Sequence, residues 1–236
     1  MSHLISHSFG LGESPIDCHK QGIDGVQRVS GTPIEANIWL PAAASCYEIS
    51  PRLDDYVVIP VPVLYNDIPN TNGDCLTLME LLKFNPALGM QAFKTFRGKP
   101  TYREHANKDI KQAKGVIFDC FMRKLPKYPG YYKVVLLLGY DRSKDAMLCN
   151  RILSGQENSY SVGFNYTSYT CSICNWRVAP GIKPCSHTAL KGPLRRTYLD
   201  RNNQLVYRFC ENAEGFECSS VADPAYVLAN SNVVIS

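Results

Sequence analysis

The sequence predicts an α+β fold, with a mainly antiparallel β-sheet or β-barrel surrounded by helices. The main observation is a series of apolar, β-branched and aromatic runs that are typical of strands, such as YVVIPVPVLYN from Tyr56 and YYKVVLLLGYD from Tyr131. Segments with helical spacing of apolar residues lie between these runs. They do not follow the regular strand–helix alternation of a parallel sheet, so an antiparallel arrangement is favoured.

Residues 1–50 differ in composition from the rest of the chain and are predicted to form an irregular N-terminal arm. This segment is rich in Ser, Gly, Pro and Ala, with a strand expected near Asn37–Leu40. Exposed irregular arms are where proteolysis concentrates, so the arm is a candidate removable pro-segment. Residues 51–236 are predicted to form the main domain.

The first part of the main domain mixes strand and helix patterns. The prolines within YVVIPVPVLYN indicate an edge strand or a strand broken by a bulge. Leu78, Leu81 and Leu82 have helical spacing and predict a helix that ends before Pro86. A second short helix is expected over Leu88–Phe96.

The second part is predicted to be richer in strands. GVIFDCFMRKL and YYKVVLLLGYD form an expected hairpin, because the turn sequence KYPG lies between them. KDAMLCNRILSG is amphipathic and predicts a helix that stops at Gly155. YSVGFNYTSYT predicts another strand, and QLVYRFCENAEGFECSSVA predicts a strand, a turn and a strand.

The composition of the chain excludes several classes of protein. The 236 residues are 45% apolar and 19% charged, which excludes a wholly disordered chain. The net charge of +4 is too small, and its charges too scattered, to indicate a specific nucleic-acid partner. The longest apolar runs are half the length of a membrane helix, so no membrane association is expected. The ten cysteines are spread through a long chain without a secretory leader, which predicts a cytosolic protein with reduced thiols.

Four residues have the types and spacing of metal ligands. Cys171 and Cys174 form a Cys-x-x-Cys pair, and Cys185 and His187 follow across a loop with Pro and Gly turns. Three thiols and one imidazole suit tetrahedral zinc, and four protein ligands would make the site structural rather than catalytic. Buried inert cysteines and a redox pair are the alternatives, although the strand–helix setting of a redox pair is missing.

A serine and a histidine suggest a second kind of site. His105 lies in the polar segment REHANKD, and Ser161 begins Ser-Val-Gly-Phe in a predicted strand. A serine becomes nucleophilic only beside a base, and Gly163 could free backbone for an oxyanion. Physical reasoning alone leaves a serine hydrolase as one possibility among several. The acids that could orient the histidine are Glu104, Asp109 and Asp141.

Three segments, in this order, resemble the prohead core protein proteases of large tailed phages. GKPTYREHANKDIKQAKGVIFD resembles their histidine segment, and SYSVGF resembles their serine segment. GFECSSVADPAYVLA resembles a stretch near the C-terminal end of such domains, and Cys/His insertions after the serine strand are also known in some phage members. The likeness covers about Tyr56 to Ala229.

This resemblance implies a fold akin to the herpesvirus maturation proteases and a serine endopeptidase activity. Ser161 would be the nucleophile, His105 the general base, and Asp109 the matching acid, while nearby amides or Arg151 would stabilise the oxyanion. The herpesvirus relatives use a second histidine, a role for which His187 competes with the metal cluster.

The resemblance also implies partners and a location. The substrates would be scaffold, core and major capsid proteins, cleaved in the assembling prohead in the host cytoplasm, usually after glutamate. Leu11-Gly12-Glu13 is then a candidate self-cleavage site, and a homo-oligomer is possible. One alternative is a non-enzymatic zinc-clip component of the capsid or of a nucleic-acid complex. The other is a cysteine hydrolase using Cys171 or Cys174, which metal spacing disfavours.

Overall fold

The computed structural model describes residues 14–31, 34–189 and 198–222. Within these ranges the helices are α1 (Cys18–Ser30), α2 (Ala36–Tyr47), α3 (Leu78–Leu82), α4 (Arg142–Leu153) and α5 (Ser186–Ala189). The strands are β1 (Ile16–Asp17), β2 (Tyr56–Tyr65), β3 (Asp74–Cys75), β4 (Phe84–Asn85), β5 (Met90–Gln91), β6 (Pro100–Arg103), β7 (Gly115–Lys124), β8 (Tyr132–Asp141), β9 (Tyr160–Asn165), β10 (Ser168–Cys171), β11 (Arg177–Val178), β12 (Tyr198–Leu199), β13 (Leu205–Val206), β14 (Arg208–Glu211) and β15 (Glu214–Ser220). Short 3₁₀ turns occur at Leu53–Asp55, Ala92–Phe96 and Ile110–Gln112.

The main sheet has seven strands in the order β1-β2-β8-β7-β6-β15-β9 and curls into a half-barrel. All neighbours are antiparallel except β6 and β15, which run parallel. The predicted α+β class with a mainly antiparallel sheet is therefore confirmed.

The predicted hairpin of β7 and β8 forms the centre of this sheet. Its neighbour β2 is buried along almost its whole length, because one face lines the inside of the curl and the other lies under the N-terminal helices. The register of β2 shifts between Pro62 and Leu64, which confirms the predicted bulge. Strand β1 pairs only with Val57 and Val58, so Pro60 and Pro62 lie past the end of β1. On that side of β2 no described strand needs a backbone N–H from these prolines.

The N-terminal region differs from the prediction, because most of its described residues are helical. The strand expected near Asn37–Leu40 is wrong, since these residues lie in α2. Ala36, Leu40 and Ala44 recur at helical spacing and pack on the outer face of the sheet, and Trp39 contacts Phe118 edge-on at 5.4 Å. Tertiary packing thus orders a segment whose composition suggests a loop. The candidate self-cleavage site at residues 11–13 lies outside the described residues.

The predicted helices after β2 are only partly formed. The first is reduced to α3, and Lys83 ends it before the β4–β5 hairpin. The second prediction, Leu88–Phe96, is replaced by β5 and a 3₁₀ turn over Ala92–Phe96. The helix before Gly155 is confirmed as α4, and Gly155 has the left-handed φ of 75° expected at such a stop. None of the helices in the described ranges is long and apolar enough to span a membrane.

A second sheet, in the order β11-β10-β14-β3, is joined to the first through continuous chain. Strand β9 leads into β10, and β14 leads into β15 through a turn at Asn212, whose φ is 56°. Because β9 pairs with β15 and β10 pairs with β14, these four strands form one two-stranded ribbon. We call it the shared ribbon, since Ser161 lies in one half and Cys171 ends the other.

Candidate active site and metal cluster

His105 lies in a sharp turn that follows β6. Glu104 and His105 both have left-handed backbone conformations, with φ of 49° and 51°, which side-chain-bearing residues seldom adopt. The turn is held to the end of β15 by two hydrogen bonds: the Glu104 N–H donates to Ser220 O (2.8 Å), and the Ala222 N–H donates to Glu104 Oε1 (3.1 Å). These contacts bend the chain so that the His105 ring faces β15.

The acid that contacts the His105 ring is Glu217, in the middle of β15. His105 Nδ1 lies 2.9 Å from Glu217 Oε1, and the Ser219 hydroxyl donates to Glu217 Oε2 at 2.6 Å. The Glu217 side chain is 1% exposed, whereas that of His105 is 44% exposed. With Nδ1–H donating to this carboxylate, Nε2 of the neutral ring is left to accept a proton.

Ser161 lies on the strand next to Glu217 and on the same face of the sheet. In the register of β9 and β15, Ser161 pairs with Ser219 and Gly163 pairs with Glu217, and directly paired residues share a face. A Cβ on Gly163 would lie 2.5 Å from Phe216 Cζ and 2.6 Å from Glu217 Oε1, so the missing side chain makes room for both the ring and the carboxylate. The same oxygen contacts His105, which places the ring beside β9, two residues along from Ser161.

The other acids considered from the sequence have structural partners. Asp109 accepts the Lys111 N–H at 3.0 Å and caps the 3₁₀ turn that follows. Asp141 is fully buried and accepts from the backbone of Ser50 (2.6 Å) and of Ser143 (2.8 Å), at the start of α4. Glu104 fastens the histidine turn, as described above. The pairing of His105 with an acid therefore involves Glu217 and not Asp109.

Arg151, considered as an oxyanion donor, forms an ion pair with Glu157 at 2.8 Å. Sequence reasoning gave no role to Glu217 or Ser219, although both lie in the segment GFECSSV. The sequence feature that could have identified them is the alternation of side chains along a strand. Glu217 and Ser219 flank Cys218, which is fully buried in the core, so their two side chains share the opposite face.

The hydrogen bond to Glu217 raises the pKa of His105, against the lowering effect of partial burial, and the charges of Glu217 and Glu104 raise it further. A general base must be neutral, so reactivity that depends on His105 should increase as pH rises through this raised pKa. The contribution of His105 to the stability of the fold depends on pH in the opposite direction. The charged pair stabilises the fold below the histidine pKa of the unfolded chain, roughly 6.5, and this stabilisation is lost as pH rises through the folded value.

Replacing Glu217 with glutamine is expected to lower the pKa of His105, because the main cause of its increase is removed. An NMR titration of the His105 ring, assigned with His105→Ala, measures this shift. Glu214→Gln is a matched control on the same strand, since Glu214 pairs instead with Lys99 at 3.3 Å. A titration midpoint that is identical in Glu217→Gln and wild type would show that the contact does not exist in solution.

The structure brings the four predicted metal ligands together at the far end of the shared ribbon. The ligand atoms of Cys171, Cys174, Cys185 and His187 all lie within 4.8 Å of one another. Cys171 ends β10, and the turn to Cys174 is closed by the Asn175 N–H donating to Cys171 O at 3.1 Å. The Ile173 N–H also donates to Cys171 Sγ, at 3.5 Å. These four side chains could hold a metal ion, as the spacing predicts.

The second half of the cluster is positioned by the loop before α5 and by α5 itself. The Trp176 indole N–H donates to Lys183 O (3.1 Å), which fixes the loop that leads to Cys185. Burial raises the pKa of Cys185, but hydrogen bonds from Thr188 and from the Cys174 and Cys171 thiols outweigh it and lower the pKa to about 6. A thiol with thiolate character is a suitable ligand for a cation.

The two groups of residues thus lie at opposite ends of the shared ribbon. Ser161, Gly163, Ser219 and Glu217 belong to its β9–β15 half, and Cys171 belongs to its β10–β14 half. His187, considered as a second catalytic histidine, is a member of the metal cluster, with its Nδ1 3.9 Å from Cys185 Sγ. Comparisons of the chain with models of protein families, with curated proteins and with solved structures find no match.

Proposed function

We propose that this protein is a serine endopeptidase in which Ser161 is the nucleophile, His105 the general base and Glu217 the acid that orients the base. The observation that carries the proposal is the contact of 2.9 Å between His105 and Glu217, made beside the strand that holds Ser161. Ser219, which pairs with Ser161 on this face, is 0% exposed and donates to Glu217, whereas Ser161 is 5% exposed.

The proposed reaction is an acyl transfer. The Ser161 oxygen attacks the scissile carbonyl carbon while His105 Nε2 takes the hydroxyl proton, and His105 then returns this proton to the leaving amine. Glu217 holds the tautomer with hydrogen on Nδ1 and stabilises the charged ring. The resulting acyl-enzyme is hydrolysed by water, with His105 again acting as the base.

The donor for the oxyanion is assigned to the Val162 N–H. The Val221 N–H donates to Ser159 O at 3.0 Å, so the pair Ser161–Ser219, two residues along, also exchanges its backbone hydrogen bonds. The N–H of Val162 therefore points away from β15, towards an edge where no strand pairs with β9 among the described residues. A free amide next to the nucleophile is suited to binding a developing oxyanion.

We further propose that the substrates are scaffold, core and capsid proteins of an assembling phage prohead. This rests on the resemblance of the three sequence segments to prohead core protein proteases. The structural placement of those segments supports it, because the histidine turn, the serine strand and the strand of GFECSSV are neighbours in one sheet.

The activity is tested with a proteome-derived peptide library, in which mass spectrometry identifies the new chain ends. Wild-type protein is expected to cleave a restricted set of peptides, and His105→Ala is expected to lose at least about 10²-fold in rate, because the general base is removed. Equal cleavage by His105→Ala and wild type would contradict the proposal.

We propose that the Cys171, Cys174, Cys185 and His187 cluster holds one structural zinc ion. Ligands that share a tetrahedral zinc lie roughly 3.3–3.8 Å apart, and the 3.9 Å between Cys185 Sγ and His187 Nδ1 needs little adjustment. A bound zinc would link the end of β10 to the loop before α5, and no step of the peptidase reaction passes through it.

Purified protein is expected to contain one zinc per chain by elemental analysis, and Cys174→Ser is expected to contain much less. Retention of a full equivalent by Cys174→Ser would contradict this assignment.

The same cluster favours the second candidate function, a non-enzymatic zinc-clip component. In that case zinc removal would abolish partner binding, and Ser161→Ala would change nothing.

A further inference from the structure

The surplus of basic residues in the chain is concentrated around the metal cluster. Residues 171–211 contain seven Lys and Arg and two Asp and Glu, whereas the rest of the chain contains 18 and 19. The net charge of +4 therefore combines a segment of +5 with a remainder of −1, and the charges are less scattered than the whole composition indicates. Three of the seven cations lie at positions 191–196, outside the described residues, and the other four are described.

The first part of this segment, residues 171–189, forms one unit with the β12–β13 hairpin, and we call this unit the metal module. The hairpin is fastened to both halves of the cluster. The Tyr198 hydroxyl donates to His187 O, and the Ser172 hydroxyl donates to Leu205 O at 3.2 Å. Side chains of the hairpin and of the cluster loops are therefore carried by one small body.

An exposed tryptophan lies on the metal module. Trp176 is 52% exposed, and its indole N–H donates to Lys183 O at 3.1 Å, so the ring is fixed in place without being covered. Other large apolar side chains of the module are also exposed: Ile182, Leu199 and Leu205. An aromatic ring that is held in water in this way is suited to stacking against a planar ligand.

The metal module also carries two cations that no carboxylate pairs with in the described part of the chain. Lys183 and Arg201 are exposed and form no ion pair there. The backbone of Lys183 contacts the Trp176 ring, and Arg201 lies in the turn of the β12–β13 hairpin. The other two described arginines of the segment are paired with carboxylates of β14 and β3. Lys183 and Arg201 are therefore available to an anionic ligand.

Unpaired cations beside an exposed aromatic ring match the chemistry of a single-stranded nucleic acid. The phosphates of such a strand attract Lys and Arg, and its unpaired bases stack on aromatic side chains. A double helix offers phosphates but hides the faces of its bases, and an acidic polypeptide offers charge without a planar base. Stacking is tolerant of sequence, because every base has an aromatic face, so no sequence preference is expected.

We propose that the metal module binds single-stranded nucleic acid, with a base stacked on Trp176 and with Lys183 and Arg201 at the phosphates. This function goes beyond the proposed endopeptidase and does not depend on it. The metal module and Ser161 lie at opposite ends of the shared ribbon, so a strand bound to the module leaves the candidate active site uncovered.

The test measures the binding of the full chain to a fluorescent oligothymidine of about 20 nucleotides, by anisotropy, at salt concentrations of about 50 and 200 mM. Trp176→Ala is expected to weaken binding roughly tenfold or more, because a stacking contact is lost, and Trp176→Phe should retain most of the affinity. Phe84→Ala removes an aromatic ring of similar exposure (58%) outside the module and should match wild type.

The contribution of charge is tested with the double variant Lys183→Gln, Arg201→Gln. It is expected to bind more weakly and to reduce the slope of log Kd against log salt by about two, one for each phosphate contact. The matched control is Arg52→Gln, Lys108→Gln, which removes two exposed cations outside the module and should keep the wild-type slope. A thermal melt of each variant separates loss of binding from loss of fold.

Intrinsic fluorescence provides a second measurement, because the chain has two tryptophans and the other one, Trp39, packs against Phe118. Unlabelled strand is expected to quench the emission of wild-type protein and to leave that of folded Trp176→Ala unchanged. Equal affinity of wild type and Trp176→Ala would overturn the proposal, as would equal binding of duplex DNA or effective competition by polyglutamate. Ser161→Ala should bind as wild type does, so a failure of the endopeptidase proposal leaves this result unaffected.

Discussion

Ser161→Ala is expected to lower the rate of peptide cleavage by roughly 10⁴-fold or more, to the background that binding alone provides. The variant removes only the hydroxyl oxygen that would form the acyl-enzyme. Its fold should be unaffected, because the backbone pairing with Ser219 does not involve the side chain. Initial rates on the peptides that wild-type protein cleaves best, together with a thermal melt of both proteins, measure these two effects separately.

Ser219→Ala is the matched control for this result. Ser219 lies directly opposite Ser161, but its hydroxyl donates to Glu217 Oε2 at 2.6 Å. Removing it should disturb the orientation of the carboxylate and reduce the rate far less than Ser161→Ala does. If Ser219→Ala abolished cleavage and Ser161→Ala retained it, the nucleophile would be Ser219 and the assignment would be wrong.

The second large effect is expected from Cys171→Ser. Cys171 is fully buried at the end of β10, where a zinc ion would fasten this half of the shared ribbon to the loop before α5. Metal binding to such a site contributes directly to folding, so the variant should lose more than about 4 kcal/mol of local stability. Hydrogen exchange should show lost protection in β10 and β14, while β2 and β8 remain protected, because they lie in the main core.

Cys46→Ser is the control for thiol loss, since Cys46 is exposed and lies outside the cluster. It should keep the zinc content and the exchange pattern of wild type. The Cys171→Ser variant also tests the link between the two sites. If the shared ribbon transmits the loss of order from β10 to β9, Ser161 should react more slowly with a fluorophosphonate in this variant than in wild type. Full protection of β10 in this variant would contradict a structural metal at the cluster.

The features predicted correctly from the sequence are those fixed by local pattern. The β7–β8 hairpin follows from two apolar runs around a Pro-Gly turn, and the stop of α4 follows from Gly155. The four metal ligands are close in sequence, so their spacing is sufficient to predict that they meet. In each case the deciding interactions lie within a short stretch of chain.

The features that were missed depend on contacts between distant segments. The helices α1 and α2 are ordered by packing on the outer face of the sheet, which the composition of the N-terminal segment does not reveal. Glu217 lies 112 positions from His105, and the two meet only because β15 runs parallel to β6 and the histidine turn bends back. Asp109 matches the acid of the histidine segment in the resemblance, but its carboxylate caps the 3₁₀ turn that follows and does not contact the His105 ring.

The most direct test of the central claim is the location of a fluorophosphonate adduct. The Ser161 oxygen would displace fluoride from phosphorus, with His105 taking the hydroxyl proton, and the product is a stable phosphonate ester. Peptide mapping by mass spectrometry is predicted to find the adduct on Ser161 in wild-type protein and to find none in His105→Ala. An adduct on another residue, or equal labelling of His105→Ala, would contradict the account.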